Sequence, residues 1–356
     1  MTSVATFMQS VNVHHDRAKP MIQSDTQTPL RNTSWQRQLA TAIRTPEELC
    51  DLLDLHQDTL PQSKTPTRSF PFLVTRSFVS RIHKGDPHDP LLLQILPRDL
   101  EDKKTEGFTA DPLQENDHVT APGLIQKYAG RALLMLTSAC AINCRYCFRR
   151  AFPYADNGVQ TSKLNEALHE ISRTKSIHEI ILSGGDPLLV SDERLQSVLQ
   201  QLSTIPHLRR LRIHTRLPVV LPERVTDTLI TMLATTRLAT TVVIHANHAQ
   251  ELDDTVEKAM HKLRHSHSIL LNQSVLLRGI NDSADALATL SERLLEIGVL
   301  PYYLHLLDRV SGTSHFEVDK QTAKKIHTAL QNRLPGYAVP RLAQEVPGAP
   351  AKHWIG

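Results

Sequence analysis

The sequence predicts an α/β fold in which repeated βα units build a parallel sheet. Six short apolar segments recur along the later part of the chain, and each is followed by a longer stretch with helical periodicity. Polar residues follow these segments at their carboxyl ends, where parallel α/β proteins place their functional groups. The predicted strands are residues 131–137, 179–183, 209–215, 240–246, 268–274 and 301–307.

Composition and charge limit the class of protein. Of the 356 residues, 40% are hydrophobic and 22% are charged, a balance typical of a globular protein. No apolar run reaches the ~18 residues that a membrane-spanning helix requires, and the N-terminus lacks the pattern of a secretory signal. A net charge of +3, from 40 basic and 37 acidic side chains, does not indicate nucleic-acid binding. We therefore expect neither a membrane nor a nucleic acid as partner.

The predicted elements divide the chain into four parts. Residues 1–34 are polar and lack periodicity, which predicts a loose N-terminal arm. Residues 35–125 predict helices and loops, and the Thr-Pro-Glu-Glu sequence from Thr45 has the form of a capping box with proline at the first helical position. Residues 126–335 hold the six βα units, and residues 336–356 form a C-terminal segment.

Residues 283–297 illustrate the helical periodicity of these units. Leu287, Leu290 and Leu294 fall on one stripe, and Gly298 marks the predicted end of the helix. Six units are fewer than the eight of a closed TIM barrel. By pattern alone, a six-stranded open barrel and a doubly wound sheet fit equally well.

Unusual residues follow each of the six predicted strands. One isolated polar residue at such a place would mean little, but six consecutive strands indicate one large site. In chain order, these residues are Cys140, Cys144 and Cys147; Gly184, Gly185 and Asp186; His214 and Arg216; His245 and Asn247; Gln273; and Asp308.

Three of the four cysteines, Cys140, Cys144 and Cys147, lie within eight residues. A disulfide scaffold spreads its cysteines to close long loops, so pairing among these three is not expected. Three interpretations stay open. The cysteines are separate buried thiols, or ligands of a structural zinc ion with a histidine, although such sites usually use two separated pairs. The third is an iron–sulfur cluster with three cysteine ligands, which leaves one iron open.

The Cys-x₃-Cys-x₂-Cys spacing, with Tyr146 before the last cysteine, resembles the motif of the radical S-adenosylmethionine (radical SAM) superfamily. Further segments make the chain similar to the lysine 2,3-aminomutase family, and within it to the bacterial branch that makes (R)-β-lysine for elongation factor P. The resemblance runs from about Trp35 to Lys352 and implies a partial (β/α)6 barrel of the radical SAM type with a mainly helical N-terminal region. The matching segments are residues 140–150, 184–187, 272–277, 301–304, Asp308, His315-Phe316 and the terminal Pro-Gly-x-x-x-Lys.

The resemblance implies three cofactors: a 4Fe–4S cluster, S-adenosylmethionine and pyridoxal 5′-phosphate. The cluster ligands are then Cys140, Cys144 and Cys147. Lys352 matches the lysine that forms the Schiff base with pyridoxal phosphate, a role for which burial suits an amine because it lowers the pKa. A glycine-rich turn lets the backbone approach a ligand closely because Cβ atoms are missing. The residues implied to contact S-adenosylmethionine are Tyr146, Gly184, Gly185, Asp186, Arg216 and His245.

The resemblance also implies residues for the substrate and for pyridoxal phosphate. Arg149 matches the residue that pairs with the substrate α-carboxylate, for which a guanidinium fork is well suited. Asp308 and Glu345 match two acids that hold the lysine ε-ammonium group, an arrangement that disfavours glutamate as a substrate. Glu345 stands where the free-standing lysine enzymes have aspartate. The residues implied to contact pyridoxal phosphate, besides Lys352, are Lys127, Tyr128, Arg131 and Gln273.

By this resemblance, the protein is an isomerase that moves an amino group between C2 and C3 of L-lysine and supplies (R)-β-lysine for modification of elongation factor P. The implied partners are L-lysine, a reductant protein for the cluster and the elongation factor P ligase system. An oxygen-sensitive cluster also predicts a reducing cytoplasm. Two alternatives stay open: a radical SAM reaction on another substrate such as arginine, or a non-catalytic zinc-binding interaction protein that uses the three cysteines and a histidine.

Overall fold

The computed structural model describes residues 35–60, 70–154 and 161–355. The predicted N-terminal arm, residues 1–34, lies outside the described residues. The fold is α/β with a mainly parallel sheet, which confirms the predicted class. Within the described ranges, no helix has both the length and the apolar character that crossing a membrane would require.

The N-terminal region contains short helices, as the sequence predicts. Helix α1, Trp35–Ala40, is followed by α2, Pro46–Leu52, and by α3, Arg76–Val79. Helix α2 begins at the predicted capping box, where the backbone N–H of Glu48 donates a hydrogen bond of 3.3 Å to the Thr45 hydroxyl oxygen. The apolar side chains of these helices pack into the same hydrophobic core as the sheet.

A ten-stranded sheet organises the rest of the molecule, with its strands in chain order. All six predicted strands are present, and each boundary agrees within two residues. The strands are β1 (Val119–Ala121), β2 (Leu124–Tyr128), β3 (Arg131–Thr137), β4 (Glu179–Gly184), β5 (Arg210–Thr215), β6 (Ala239–His245), β7 (Ile269–Val275), β8 (Leu300–His305), β9 (Arg341–Gln344) and β10 (His353–Trp354).

Strands β3 to β9 are parallel to one another, whereas β1, β2 and β10 pair in antiparallel fashion at the two edges. The seventh parallel strand, β9, lies in the C-terminal segment and is not predicted by the sequence. Its four residues are too few for a period-2 pattern to stand out. Strands β1 and β2 lie in or at the end of the region predicted as helices and loops, and β1 is equally short.

A tight hairpin joins β2 to β3. Tyr128 pairs with Arg131 across the two-residue turn Ala129-Gly130. Gly130 has a φ of 78°, a left-handed conformation that glycine adopts without strain in such turns. The hairpin places Lys127 and Tyr128 beside β3, the strand that leads into the cysteine loop.

Helices connect the parallel strands and pack their apolar stripes against the sheet. In α9 (Ala284–Glu296), Leu287, Leu290 and Leu294 are at most 2% exposed, which confirms the predicted stripe. Burial of each such side chain stabilises the fold by about 1.5–3 kcal/mol. The remaining helices are α4 (Thr161–Arg173), α5 (Asp192–Thr204), α6 (Leu217–Val220), α7 (Asp227–Thr235), α8 (Asp254–Arg264), α9 (Ala284–Glu296) and α10 (Lys320–Gln331).

The sheet curves around a cavity. Strand β5 shows this clearly: Arg210, Arg212 and His214 line the cavity, whereas Leu211 and Ile213 are fully buried on the other face. Neighbouring strands contribute alternate residues to the same cavity in the same way. In the part of the chain that the structure describes, the strand order runs from β1 to β10 without closing, so the curved sheet is a partial barrel.

Candidate active site

The cavity inside the curved sheet has a volume of about 680 Å³. The loop after β3 lines it at the carboxyl ends of the strands, and the C-terminal segment contributes Glu345 and Lys352. Every residue to which the resemblance assigns a cofactor or substrate contact lines this one cavity. Their individual roles stay predictions, because lining a cavity does not identify its ligand.

The cysteine loop, residues 138–150, brings three free thiols to the cavity. Cys140, Cys144 and Cys147 form no disulfides. Burial and the neighbouring thiols raise the pKa of Cys140 well above its usual value and that of Cys147 to about 11. Negative charge on these half-buried, closely spaced sulfurs is unfavourable without a cation. The donor set therefore fits iron, which supplies that positive charge.

The geometry of the thiols does not favour the zinc alternative. Among the residues that the structure describes, no three His, Cys, Asp or Glu side chains are grouped so as to hold one metal ion. A zinc ion needs its ligands about 2.0–2.3 Å from a common centre. A 4Fe–4S cluster binds each cysteine at a different iron, so its three sulfurs need not meet at one point. The thiols are therefore compatible with a cluster without meeting at one point.

Two arginines of the cysteine loop anchor it to the N-terminal region. Arg145 donates to the two carboxylate oxygens of Glu101 at 2.9 and 2.5 Å, and Arg150 donates to the same carboxylate at 2.6 Å. Arg145 is fully buried, so its charge needs this partner. The sequence does not identify Glu101 as that partner because 44 residues separate it from Arg145.

The glycine turn after β4 allows the cysteine loop to approach closely. The backbone N–H of Gly185 donates to the Thr137 carbonyl at 2.7 Å, and that of Asp186 donates to the Ala139 carbonyl at 2.8 Å. A Cβ on Gly185 would lie 2.1 Å from the Ala139 carbonyl oxygen, and one on Gly184 would lie 2.4 Å from that of Thr137. The sequence leads us to expect that the missing Cβ atoms make room for a ligand. The structure places the cysteine-loop backbone where these Cβ atoms would lie, and the contact of the turn with a ligand stays a prediction.

We expect Gly185→Ala to destabilise the fold and to lower the iron content of anaerobically purified protein. The added methyl group would lie 2.1 Å from Ala139 and 2.7 Å from Ser138, and both contacts are with backbone atoms. The free energy of unfolding, measured with urea, should fall by about 1–3 kcal/mol. Gly336→Ala is the matched control, since no atom of the described residues lies within 4 Å of its Cβ position. Equal free energies of unfolding for the two variants would contradict the conclusion that Gly185 must lack a Cβ to pack against the cysteine loop.

Asp186 uses its side chain to join the carboxyl ends of β4 and β5. One carboxylate oxygen accepts hydrogen bonds from the Thr215 hydroxyl at 2.7 Å and the Leu188 N–H at 3.1 Å. The other accepts from the backbone N–H groups of Arg216 at 2.7 Å and Leu217 at 3.1 Å. Burial raises the pKa of Asp186, and these hydrogen bonds oppose the increase. Both oxygens of the Asp186 carboxylate thus already accept hydrogen bonds from donors of the protein.

Arg216 contacts the cysteine loop directly. One guanidinium nitrogen lies 2.6 Å from Cys144 Sγ, and another donates to Gln94 at 2.8 Å and to Glu251 at 2.9 Å. Gln94 and Glu251 are fully buried, and the sequence does not mark either as part of the site. These contacts fix the position of Arg216 beside Cys144, a predicted cluster ligand. The resemblance implies that Arg216 contacts S-adenosylmethionine.

Strands β5, β6 and β8 each bring one neutral histidine to the cavity wall. Burial and nearby positive charge lower the pKa of His245 to about 3, and they lower those of His214 and His305 well below the usual value. The His245 ring faces the side-chain amide of Gln273, which also lies 3.5 Å from His214. These uncharged groups are suited to hydrogen bonding with a polar ligand. The resemblance assigns no role to His214 or His305.

Glu345 lies between two lysines of this chain. Lys352 Nζ lies 2.8 Å from one carboxylate oxygen of Glu345, and Lys127 Nζ lies 2.5 Å from the other. Burial alone would raise the pKa of Glu345, but the two ammonium groups lower it far below its usual range. Tyr128 also hydrogen-bonds to Glu345. The resemblance implies that Glu345 holds a substrate ammonium group, whereas here the protein's own cations occupy its carboxylate.

Asp308 is a half-buried acid near this group. Burial raises its pKa to about 7, with further increases from Glu345 and Glu115, while Lys352 and Lys127 oppose the shift. Asp308 therefore changes its protonation state near neutral pH. Of the two acids implied to hold the substrate ammonium group, it is the one whose charge responds to pH in this range.

The amino ends of β3, β4 and β5 form a cationic end of the cavity, lined by Arg131, Arg210 and Arg212. Glu179 lies 3.0 Å from Arg212 and 3.8 Å from Arg210. Three guanidinium groups around one carboxylate leave net positive charge, which suits a phosphate group. Arg210 and Arg212 are not among the predicted site residues, although charged residues at alternate positions of a predicted strand were a signal for them.

Comparison with known proteins identifies the family. A family model described as a 4Fe-4S single cluster domain matches residues 128–209, which contain the cysteine loop and the glycine turn. The chain is 47% identical over 319 residues to L-lysine 2,3-aminomutase of Haemophilus influenzae, covering 90% of this chain and 94% of that one.

Two further relatives carry the same name. L-lysine 2,3-aminomutase of Escherichia coli is 46% identical over 326 residues, covering 91% of this chain and 95% of that one. L-lysine 2,3-aminomutase of Clostridium subterminale is 34% identical over 319 residues, covering 89% and 76% respectively. Among solved structures, a radical SAM methyltransferase from Sphaerobacter thermophilus reaches a TM-score of 0.42 at 13% identity, covering 62% of this chain and 68% of that one. This likeness is too weak to support an argument.

The three-cysteine loop, the curved parallel sheet and the iron–sulfur family match together define a radical SAM enzyme. Relatives that are 46–47% identical over about nine tenths of the chain define the family. The chain belongs to the lysine 2,3-aminomutase family, a group of radical SAM isomerases. This membership confirms the family and the enzyme class that the sequence motifs predict.

Proposed function

We propose that the protein converts L-lysine to β-lysine by moving the amino group from C2 to C3. The observation that carries this proposal is that Lys352 and the three cysteines line one cavity. A single pocket thus offers an amine nucleophile and the thiols for a cluster. The names of relatives at 47% and 46% identity support lysine as the substrate.

The donor groups in the cavity fit a cluster, S-adenosylmethionine and pyridoxal phosphate. The buried thiols of the cysteine loop would hold the cluster, with Arg216 beside Cys144. Lys352 would hold pyridoxal phosphate, and the cationic end at Arg131 and Arg212 suits its phosphate group. When bound, the cluster and S-adenosylmethionine supply a carbon radical, and pyridoxal phosphate supplies the carbon that carries the migrating amino group.

The protein itself contributes position and shielding from water. The cavity lies within the curved sheet, so a bound substrate is enclosed on several sides by strand side chains. His245 and Gln273 are adjacent in the cavity wall and carry no net charge, because desolvation keeps the histidine neutral. They can therefore orient polar groups by hydrogen bonds without competing for the charged ends of the substrate.

The two ends of lysine match two opposite charges in the cavity. Arg149 would receive the α-carboxylate, and Asp308 would receive the ε-ammonium group; both residues line the cavity. Glutamate would instead bring a second carboxylate towards Asp308 and Glu345, which like-charge repulsion opposes. The charge pattern therefore supports a basic amino acid as substrate.

A competition experiment tests this substrate assignment. The anaerobically reconstituted enzyme is incubated with equimolar lysine, arginine and glutamate, and mass spectrometry with fragmentation identifies which β-amino acids form. We expect β-lysine as the main product and no β-glutamate. Formation of β-arginine in excess of β-lysine would identify arginine as the substrate. Formation of β-glutamate would contradict the proposal that Asp308 and Glu345 select for an ammonium group.

Lysine binding should strengthen as the pH rises through 7. A carboxyl group with a raised pKa of about 7 is mostly neutral at pH 6 and mostly ionised at pH 8, and only the ionised form attracts an ammonium group. We expect the KM for lysine to fall about tenfold between pH 6 and pH 8. Asp308→Asn, which cannot ionise, should remove this dependence. A KM profile that is identical in the wild type and Asp308→Asn would contradict the role of Asp308.

We also propose that the product is (R)-β-lysine, that it serves the modification of elongation factor P, and that a reductant protein delivers electrons to the cluster. The support is the similarity of the sequence motifs to the branch of the family with this product. Chiral chromatography of the product against both enantiomers tests the stereochemistry. Transfer of the isolated product to elongation factor P by its ligase tests the destination, and failure of the ligase to accept it would contradict that proposal.

A further inference from the structure

Arg149 and Glu115 form a buried ion pair in the wall of the cavity. Arg149 Nε and Nη2 donate to the two carboxylate oxygens of Glu115 at 2.7 and 2.8 Å. The side chains are 7% and 5% exposed, so both charges are almost removed from water. Glu115 belongs to a short turn, Glu115–His118, just before β1, and the sequence assigns it no role.

The remaining donors of Arg149 are almost all in use. Nη1 donates to the Ser183 hydroxyl at 3.0 Å and to the Gly184 carbonyl at 3.3 Å. A guanidinium group has five N–H donors, so within the described part of the chain these four contacts leave one N–H, on Nη2. A substrate carboxylate that approaches Arg149 thus meets a single N–H, whereas an unpaired arginine would offer a two-pronged fork.

The pair is expected to persist when substrate binds. Breaking a buried ion pair leaves an uncompensated charge and is strongly unfavourable. Adding the substrate carboxylate to the remaining N–H keeps both charges of the pair compensated. Rotation of Arg149 is restricted as well, because contacts on three sides of the guanidinium group hold its plane.

We propose that Glu115 is a positioning residue that fixes Arg149 so that one Nη2 N–H receives the α-carboxylate of the substrate. This inference rests on the proposed function, which assigns that carboxylate to Arg149. Loss of Glu115 leaves the guanidinium group free to turn, so that the remaining donor no longer points where the carboxylate lies. Recognition of the carboxylate should suffer selectively, while the rest of the substrate is bound as before.

Lysinamide, in which an amide replaces the α-carboxylate, separates this role from a general structural one. The dissociation constants of lysine and lysinamide are measured by isothermal titration calorimetry with the reconstituted holoenzyme, without reductant so that no turnover takes place. The variants are Glu115→Ala and Glu115→Gln. Glu257→Ala is the matched control, because Glu257 pairs with Arg293 at the surface, 2.6 Å away.

We expect Glu115→Ala to weaken lysine binding about tenfold or more and to change lysinamide binding less than about twofold. Glu115→Gln should lie between wild type and Glu115→Ala, since its amide accepts one N–H but turns its own donors towards the guanidinium group. Glu257→Ala should bind both compounds as the wild type does.

Other outcomes overturn the inference in distinguishable ways. Equal weakening of both compounds would show a purely structural role, and unchanged lysine binding would show that Arg149 needs no such partner. Tighter lysine binding by Glu115→Ala would show that Glu115 competes with the substrate carboxylate. Wild-type protein that binds neither compound would overturn the proposed function together with this inference.

Discussion

We expect Lys352→Ala to lower the rate of β-lysine formation by at least about three orders of magnitude. The variant loses the amine that the proposed function uses to hold pyridoxal phosphate. Two measurements check this result: product formation under anaerobic conditions, and the amount of pyridoxal phosphate that stays with the protein through gel filtration. Both should fall, because the covalent hold on the cofactor is removed.

The fold itself should tolerate the loss of Lys352. Glu345 keeps Lys127 as a partner at 2.5 Å, so its buried carboxylate is not left unpaired. Lys262→Ala is a suitable control, because Lys262 Nζ pairs with Asp227 at 2.9 Å at the surface. This control should keep full activity. A Lys352→Ala protein with near wild-type activity and bound pyridoxal phosphate would contradict the assignment.

Replacement of any one of Cys140, Cys144 and Cys147 by alanine should reduce the bound iron from about four atoms per chain to less than about one. Two remaining cysteines hold a 4Fe–4S cluster poorly, and the three thiols of this loop are the ligands that the cavity offers. The rate of β-lysine formation should fall by about three orders of magnitude as well. Iron and sulfide analysis of anaerobically purified variants provides the measurement.

Cys50 supplies the matched control for these variants. It belongs to α2, is fully buried in the core and does not line the cavity. Cys50→Ala should therefore keep its iron and lose about 1 kcal/mol of the free energy of unfolding, because a small buried group is removed. Loss of iron from Cys50→Ala, or full iron content in Cys144→Ala, would contradict the assignment of the cluster ligands.

The sheet was predictable where strands are long and mostly apolar. The strand Arg131–Thr137 was predicted at both boundaries, because an apolar run of this length between polar turns has few alternatives. Strands such as Arg341–Gln344 and His353–Trp354 have four and two residues, and pairing with an existing sheet edge creates them. These strands depend on contacts with residues that are distant in the sequence, so local periodicity could not predict them.

The candidate site was predictable where motifs are local, and not where partners are distant. The cysteine spacing and the glycine turn each occupy a few neighbouring residues, and the structure brings both to the cavity. Gln94, which accepts a hydrogen bond from Arg216, lies 122 residues away in the sequence. Only the folded structure brings these two side chains together. Glu345 shows a third case, because its position was predicted but its contacts with two lysines depend on how the C-terminal segment joins the sheet.

The cofactor requirement of product formation tests the central claim most directly, namely that one cavity unites the cysteine loop and Lys352 in a single reaction. The protein is incubated anaerobically with L-lysine and reductant, while iron with sulfide, S-adenosylmethionine or pyridoxal phosphate is omitted in turn. We predict that β-lysine, detected by mass spectrometry, forms only in the complete mixture. Formation of β-lysine without S-adenosylmethionine or without pyridoxal phosphate, or its absence from the complete mixture, would contradict the claim.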